Sequence, residues 1–290
     1  MADSTITAPP RVPPVAFVLG AISSVQVGAA IAKTLFDEIG ASGTVFIRVL
    51  FAALALALIW RPGVAGHGRR EILLAVLFGL TLAAMNLAFY SALDRIPLGI
   101  TVTLEFVGPL GVAVAGSRSA LDLLWVALAA GGILLLSDFG AADLDAVGVA
   151  LALFAGCLWA AYILLSARVG RVFPGGSGLT LAMIVAAAAL LPVGIADAGA
   201  DLLVPWILAA GAAVAILSSA IPYSLELEAL RRMPQHVFGV LMSLEPAVAA
   251  LAGFVLLGED LVPRELVAIL FVVAASAGAA TGAKIAPRDA

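Results

Sequence analysis

The sequence is short of charge. Only 12% of its 290 residues are Asp, Glu, Lys or Arg, while 63% are hydrophobic and the mean hydropathy is +1.16. A soluble domain carries roughly 25% charged residues, so this composition excludes one and defines an integral membrane protein. Cysteine is nearly absent: Cys157 stands alone, which rules out an intramolecular disulfide. It lies in an apolar segment and is expected to be a small buried packing residue. The two histidines, His67 and His236, fall at segment edges with no Cys or His at ligand spacing, so no metal site is expected. No Ser/His pair and no His or Cys accompanies the acids of the apolar segments, which leaves an intramembrane enzyme without its chemistry. No cofactor is called for. The formal net charge of -4 is spread without long runs, so nothing points to nucleic acid or an acidic partner. Strict alternation of apolar and polar residues is missing, which argues against a transmembrane barrel.

What is present is a series of long apolar runs. Ten stretches approach the roughly 20 residues needed to span a bilayer: 15–36, 42–60, 71–93, 97–116, 120–137, 146–167, 178–197, 205–230, 234–257 and 265–284. The run that begins at 15 is too long for a signal-peptide core and is read as a retained helix. Basic residues in short loops mark the cytoplasmic side. Arg11, Arg61, Arg69, Arg70, Arg118, Arg168, Arg171, Arg231, Arg232, Lys284 and Arg288 fall on one side, and only Arg95 and Arg264 on the other. That other side carries acids instead, among them Asp37, Asp94, Asp138, Asp143, Asp145, Asp197, Glu259 and Asp260. Both termini, tails 1–14 and 285–290, are therefore predicted to be cytoplasmic.

The chain repeats itself. Ala229-Leu-Arg-Arg-Met-Pro234 echoes Ala92-Leu-Asp-Arg-Ile-Pro97, and Pro246 and Gly253 fall on Pro109 and Gly116 without a gap. The matching segments are five crossings apart, and an odd number of crossings reverses direction. The expected architecture is all-α, with two inverted five-helix repeats at 15–137 and 146–284. Inverted repeats with proline-interrupted helices at matching positions are the pattern of secondary transporters, with the substrate site near the midplane. Small residues at four-residue spacing, Gly148, Ala152, Gly156 and Ala160 and again Ala274, Gly278 and Gly282, predict close helix contacts within the bundle. The later set also suits an oligomer interface, so a monomer or weak homodimer is expected.

Within Thr103-Leu-Glu-Phe-Val-Gly-Pro-Leu-Gly111, Pro109 cannot donate to the carbonyl of Glu105, so an acidic side chain and a freed acceptor coincide at membrane depth. The second repeat places Glu245 beside Pro246, about one turn out of register. Ionisable groups in lipid are costly and mark functional sites. Such carboxylates can bind a cationic group, carry a coupling proton, or alternate between the two. Arg48, two turns inside its segment, needs an anion: either one of the glutamates or a substrate carboxylate. Glu226 is the third acid of interest, and Lys33 is explained by its neighbour Asp37. Asn86, Tyr90, Trp159, Tyr162 and Tyr223, with Ser23, Ser24, Gln26, Ser218, Ser219 and Ser243, are the uncharged polar and aromatic groups that would line one cavity with these charges. Carboxylates together with one guanidinium suit a zwitterion.

At these residues the chain resembles the drug/metabolite transporter superfamily, whose members carry two EamA repeats. Met85-Asn-Leu-Ala-Phe-Tyr90, Leu104-Glu-Phe-Val-Gly-Pro-Leu110, Trp159-Ala-Ala-Tyr-Ile-Leu164, Ile221-Pro-Tyr-Ser-Leu-Glu226, Phe238-Gly-Val-Leu-Met-Ser-Leu-Glu-Pro246 and Leu257-Gly-Glu259 are similar to the threonine/homoserine exporter branch. The resemblance implies proton-coupled efflux of small amino acids across the bacterial inner membrane by alternating access, without ATP. Its alternative is an EamA-type efflux carrier for another metabolite or a drug cation. The implied binding set is Glu105, Glu245, Arg48, Asn86, Tyr90, Trp159, Tyr162, Tyr223 and Glu226, with Pro109 and Pro246 opening the backbone.

Overall fold

A computed structural model of the chain describes residues 12–62, 66–136, 145–252 and 262–285. The side chains of Lys33 and Asp37 lie outside the described residues. So do Arg11, Asp138, Asp143, Gly253, Glu259, Asp260, Arg288 and most of both tails. Among the described residues all regular structure is helical.

Helix α1 (Pro14–Trp60) has 47 residues, far more than one crossing requires, and bends at Gly40, where φ is 66° and ψ 178°. Only glycine takes that conformation without strain. The carboxylate of Asp197 also fills the space a side chain at 40 would need, with Oδ2 only 2.9 Å from the position of a Cβ. The bend separates the two predicted segments 15–36 and 42–60. Then follow α2 (Arg69–Leu93), α3 (Leu98–Glu105), α4 (Val107–Gly116), α5 (Ala120–Leu136), α6 (Ala146–Val172) and α7 (Ser177–Ala198), which ends in a 3₁₀ turn. The rest is α8 (Pro205–Ala215), a π-helical turn (Ile216–Ala220), α9 (Ile221–Arg232), α10 (Gln235–Met242), α11 (Leu244–Ala252) and α12 (Pro263–Ile285).

Six described stretches are long and apolar enough to cross a membrane: Glu38–Trp60, Arg69–Leu93, Ala146–Val172, Ser177–Leu203, Pro205–Arg232 and Pro263–Thr281. Shorter apolar helices, Pro14–Ala29, Ile100–Gly116, Ala120–Leu136 and Gln235–Leu251, precede or separate them. The outside of the bundle is apolar as well, with Leu58 81%, Leu203 75% and Leu270 67% exposed. That surface suits lipid and not water.

Two helices are broken by the same cause. At Phe106 (φ -63°, ψ -11°) and Ser243 (φ -62°, ψ -12°) the regular α-helix is interrupted, three residues before Pro109 and Pro246. Each proline lacks an amide hydrogen and its ring presses on the carbonyl four residues back. From Leu98 to Gln235 and from Glu105 to Met242 the step is the same 137 residues, so α10 repeats the bounds of α3.

Small residues on α6 let this break approach closely. Gly148 lies under Arg95 and Ile96, and Gly156 lies under the backbone of Glu105, whose carbonyl oxygen stands 2.7 Å from where a Cβ would be. Gly108 in turn meets the carbonyl of Gly156. On α12, Gly278 packs on Trp125 of α5, so this member of the second small-residue set makes an internal contact. One expectation is corrected. Cys157 is exposed, because Gly156 faces the bundle and the next residue is turned about 100° away by the 3.6-residue period.

Candidate functional site

Arg48, on the second half of α1, is only 7% exposed. Its Nη2 donates to Oδ1 of Asn86 on α2, and its guanidinium lies 5.4 Å from the ring centre of Tyr90, one turn further along α2. Asn86 Nδ2 donates to the carbonyl of Leu82 at 2.8 Å and to the Tyr223 hydroxyl on α9 at 3.3 Å. Asn86 and Tyr223 stand 137 residues apart, the same step that relates α3 to α10. Tyr90 stacks on Phe36 with ring centres 5.3 Å apart. Arg48 Nε is buried without a partner, and among the described residues no carboxylate pairs with this arginine.

A second buried pair adjoins the first. The Tyr162 hydroxyl on α6 donates to Glu226 Oε2 on α9 at 2.8 Å, and the Tyr162 ring packs on Tyr223 at 5.6 Å and on Phe78 at 5.5 Å. Glu226 lies one turn from Tyr223, so α2, α6 and α9 meet in one polar core. Glu226 is 5% exposed, so its carboxyl faces the bundle interior.

The helix breaks bring the other two acids up to this core. Glu105 ends α3 and Glu245 begins the first turn of α11; both are half-buried, with no hydrogen bond or ion pair among the described residues. α3 packs against α6, which carries Tyr162, and α11 against α1, which carries Arg48. The Trp159 ring meets Phe106 edge to face at 5.1 Å and so flanks the first break. Arg48, Asn86, Tyr90, Tyr223, Tyr162 and Glu226 thus form one linked cluster, and Trp159 stands beside the first break, while Glu105 and Glu245 sit at the two breaks with Pro109 and Pro246 shortly after them. The serines divide. Ser23 is exposed, Ser24 donates to the carbonyl of Leu217 at 2.6 Å, and Ser243 donates to the carbonyl of Val240 at 2.5 Å.

The π turn at Ile216–Ala220 was not foreseen. Its signal was in the sequence: Pro222 cannot donate to the carbonyl of Ser218, so the turn before it widens. Arg231 was assigned only a loop charge. It ties the end of α6 to α9 by donating to the carbonyls of Gly170, Phe173 and Gly175 at 2.7, 2.8 and 2.5 Å. A crevice of about 950 Å³ between α4, α5 and α10, bordered by Gly116, Arg118, Trp125 and His236, contains none of the predicted site residues.

A bundle of membrane-length apolar helices with a charged, aromatic centre is the build of a membrane transporter. Residues 146–281 match the EamA-like transporter family. The threonine/homoserine exporter RhtA of Salmonella typhimurium (strain LT2) is 42% identical over 268 residues, covering 91% of this chain and 90% of that protein. The RhtA of Escherichia coli (strain K12) is 41% identical over 267 residues, with the same coverage. A crystal structure 18% identical in sequence superposes with a TM-score of 0.73 over 94% of this chain and 99% of the other, and it supports the fold. The chain belongs to the EamA-like transporter family.

Proposed function

We propose that the protein is a secondary-active exporter of small amino acids of the threonine and homoserine type, working in the bacterial inner membrane by alternating access and drawing on protons. The observation that carries this reading is Arg48, a buried guanidinium held by a neutral amide, with a free Nε and no carboxylate partner among the described residues. A permanent buried cation needs an anion. Here a substrate carboxylate supplies it, and Glu105 and Glu245 receive the ammonium or the proton. Asn86, Tyr90, Tyr162, Tyr223, Trp159 and Glu226 shape and orient the site. The partners are the small-molecule substrate and the bilayer, with the chain acting as a monomer or weak homodimer.

In this reading ten crossings form two inverted repeats with cytoplasmic termini. Arg118, Arg231 and Arg232 then place the α4–α10 seam on the cytoplasmic side. That seam is tight, with Gly239 against the Pro109 carbonyl, whereas among the described residues α3 and α11 are not packed on one another in the same way. In this reading the seam is the part of the bundle that is closed in this conformer. In the opposite state the contacts exchange, bringing Val102, the counterpart of Gly239, towards Pro246.

The test is counterflow of labelled threonine and homoserine in proteoliposomes, with Glu105→Gln and Arg48→Lys alongside. Saturable exchange is expected, lost in Glu105→Gln and reduced at least tenfold in Arg48→Lys, because a point charge does not replace a planar fork. Full exchange by Glu105→Gln refutes the site. A second reading, export of another metabolite or a drug cation, draws on the three acids and the aromatic walls; cation transport indifferent to Arg48→Lys would favour it.

A further inference from the structure

We infer that Ser219, on the π turn between α8 and α9, is the position that recognises the substrate's side-chain hydroxyl; this rests on the amino-acid reading above. Hydroxyls inside helices normally donate to a carbonyl one turn back. Thr180 does so to Gly176 at 2.9 Å and Ser224 to Ala220 at 2.6 Å. Ser219 does not. Its hydroxyl is completely buried and has no hydrogen-bond partner among the described residues. A buried, unpaired hydroxyl is costly unless something bonds it, and such groups call for an explanation.

Register supplies one. Ser219, on the turn that leads into α9, precedes Tyr223 by four residues and Glu226 by seven, the spacing that sets it on the same side of the chain as the two residues that meet Asn86 and Tyr162. Its neighbour Ser218 is turned elsewhere, towards α1, with its Oγ against Gly28. The turn is held in place from α1 as well, since Ser24 donates to the carbonyl of Leu217 at 2.6 Å. In the first repeat the counterpart of Ser219 is Leu82, buried in regular helix. The hydroxyl is therefore offered from one repeat only. A site built from two similar halves needs such a difference to fix which way an asymmetric substrate lies. Threonine and homoserine each carry one hydroxyl beyond their ammonium and carboxylate, and Ser219 can both donate to it and accept from it.

The experiment is threonine counterflow in proteoliposomes of the full chain, competed by valine, which has the shape of threonine without its hydroxyl. Wild type, Ser219→Ala and Ser219→Thr are compared. In Ser219→Ala, apparent threonine affinity is expected to fall roughly three- to tenfold, as for one neutral hydrogen bond. Valine affinity stays unchanged, so the preference collapses; Ser219→Thr, which keeps a hydroxyl, retains it. Equal loss for both amino acids, or an unchanged threonine-to-valine ratio, overturns the assignment while leaving the amino-acid reading intact. Wild-type protein that exchanges no amino acid overturns both.

Discussion

Replacing Gly156 by alanine tests the link between helix packing and the site. A Cβ there would stand 2.7 Å from the Glu105 carbonyl oxygen and 3.3 Å from the Glu105 Cα, whereas ordinary contact begins near 3.4 Å. The end of α3 must therefore retreat by about 0.7 Å. Both partners are backbone, so no rotamer relieves the clash, and overpacking of this kind costs about 1–3 kcal/mol. Alanine in a helix interior returns about 0.5–1 kcal/mol relative to glycine. The net loss expected is about 0.5–2 kcal/mol, read as a lower midpoint of thermal unfolding in detergent. Transport should suffer more than stability, because the displaced residue is Glu105 itself and sub-ångström placement governs how well a site works. Gly111→Ala is the matched control: its Cβ meets nothing within 4 Å, so it should hold or raise stability and leave counterflow intact. If Gly156→Ala unfolds and transports like wild type, the close approach of α3 to α6 is wrong.

Three further outcomes follow from the geometry. Gly239→Ala would put a Cβ 2.4 Å from the Pro109 carbonyl oxygen, closer than at Gly156, so it should push α10 off α4 and lower the unfolding midpoint at least as much as Gly156→Ala; a midpoint at or above wild type would refute the seam. Tyr162→Phe removes the hydroxyl bonded to buried Glu226 and should cost about 1–3 kcal/mol, more than Tyr223→Phe, whose hydroxyl only accepts from Asn86; equal unfolding midpoints would contradict this order. Asp145 caps α6, and the Arg95 guanidinium at 2.9 Å, followed by the Val147 amide, holds its carboxyl below the usual range. A depressed value in the folded state means stability present above the ordinary carboxylate pKa, near 3.9, and lost as pH falls below it. Arg95→Gln should flatten that acid limb, and unchanged profiles between about pH 2 and 5 would dismiss the pair.

Much of this was written in the order of residues. Low charge and long apolar runs dictate a helical membrane bundle, because backbone groups in lipid must bond within their own segment. Pro109 and Pro246 dictate the breaks at Phe106 and Ser243, since a missing amide hydrogen acts wherever the chain goes. The costly residues Arg48, Glu105, Glu226 and Glu245 declare themselves by composition alone. What the one-dimensional order does not contain is which of them meet. Only packing pairs Tyr162 with Glu226 and Arg48 with Asn86, and leaves Arg48 without an acid among the described residues, because these contacts join α1, α2, α6 and α9 across 38 to 64 positions of sequence. Packing also turned Cys157 outward and left Ser219 buried without a partner among the described residues, since helix rotation is set by the neighbours that Gly156 and Gly28 admit. The sequence by itself determined a membrane helix bundle with two proline breaks and a handful of expensive polar groups. The tertiary structure alone decided their partners, because a side chain's partner depends on how helices distant in sequence pack, and the local pattern does not encode that.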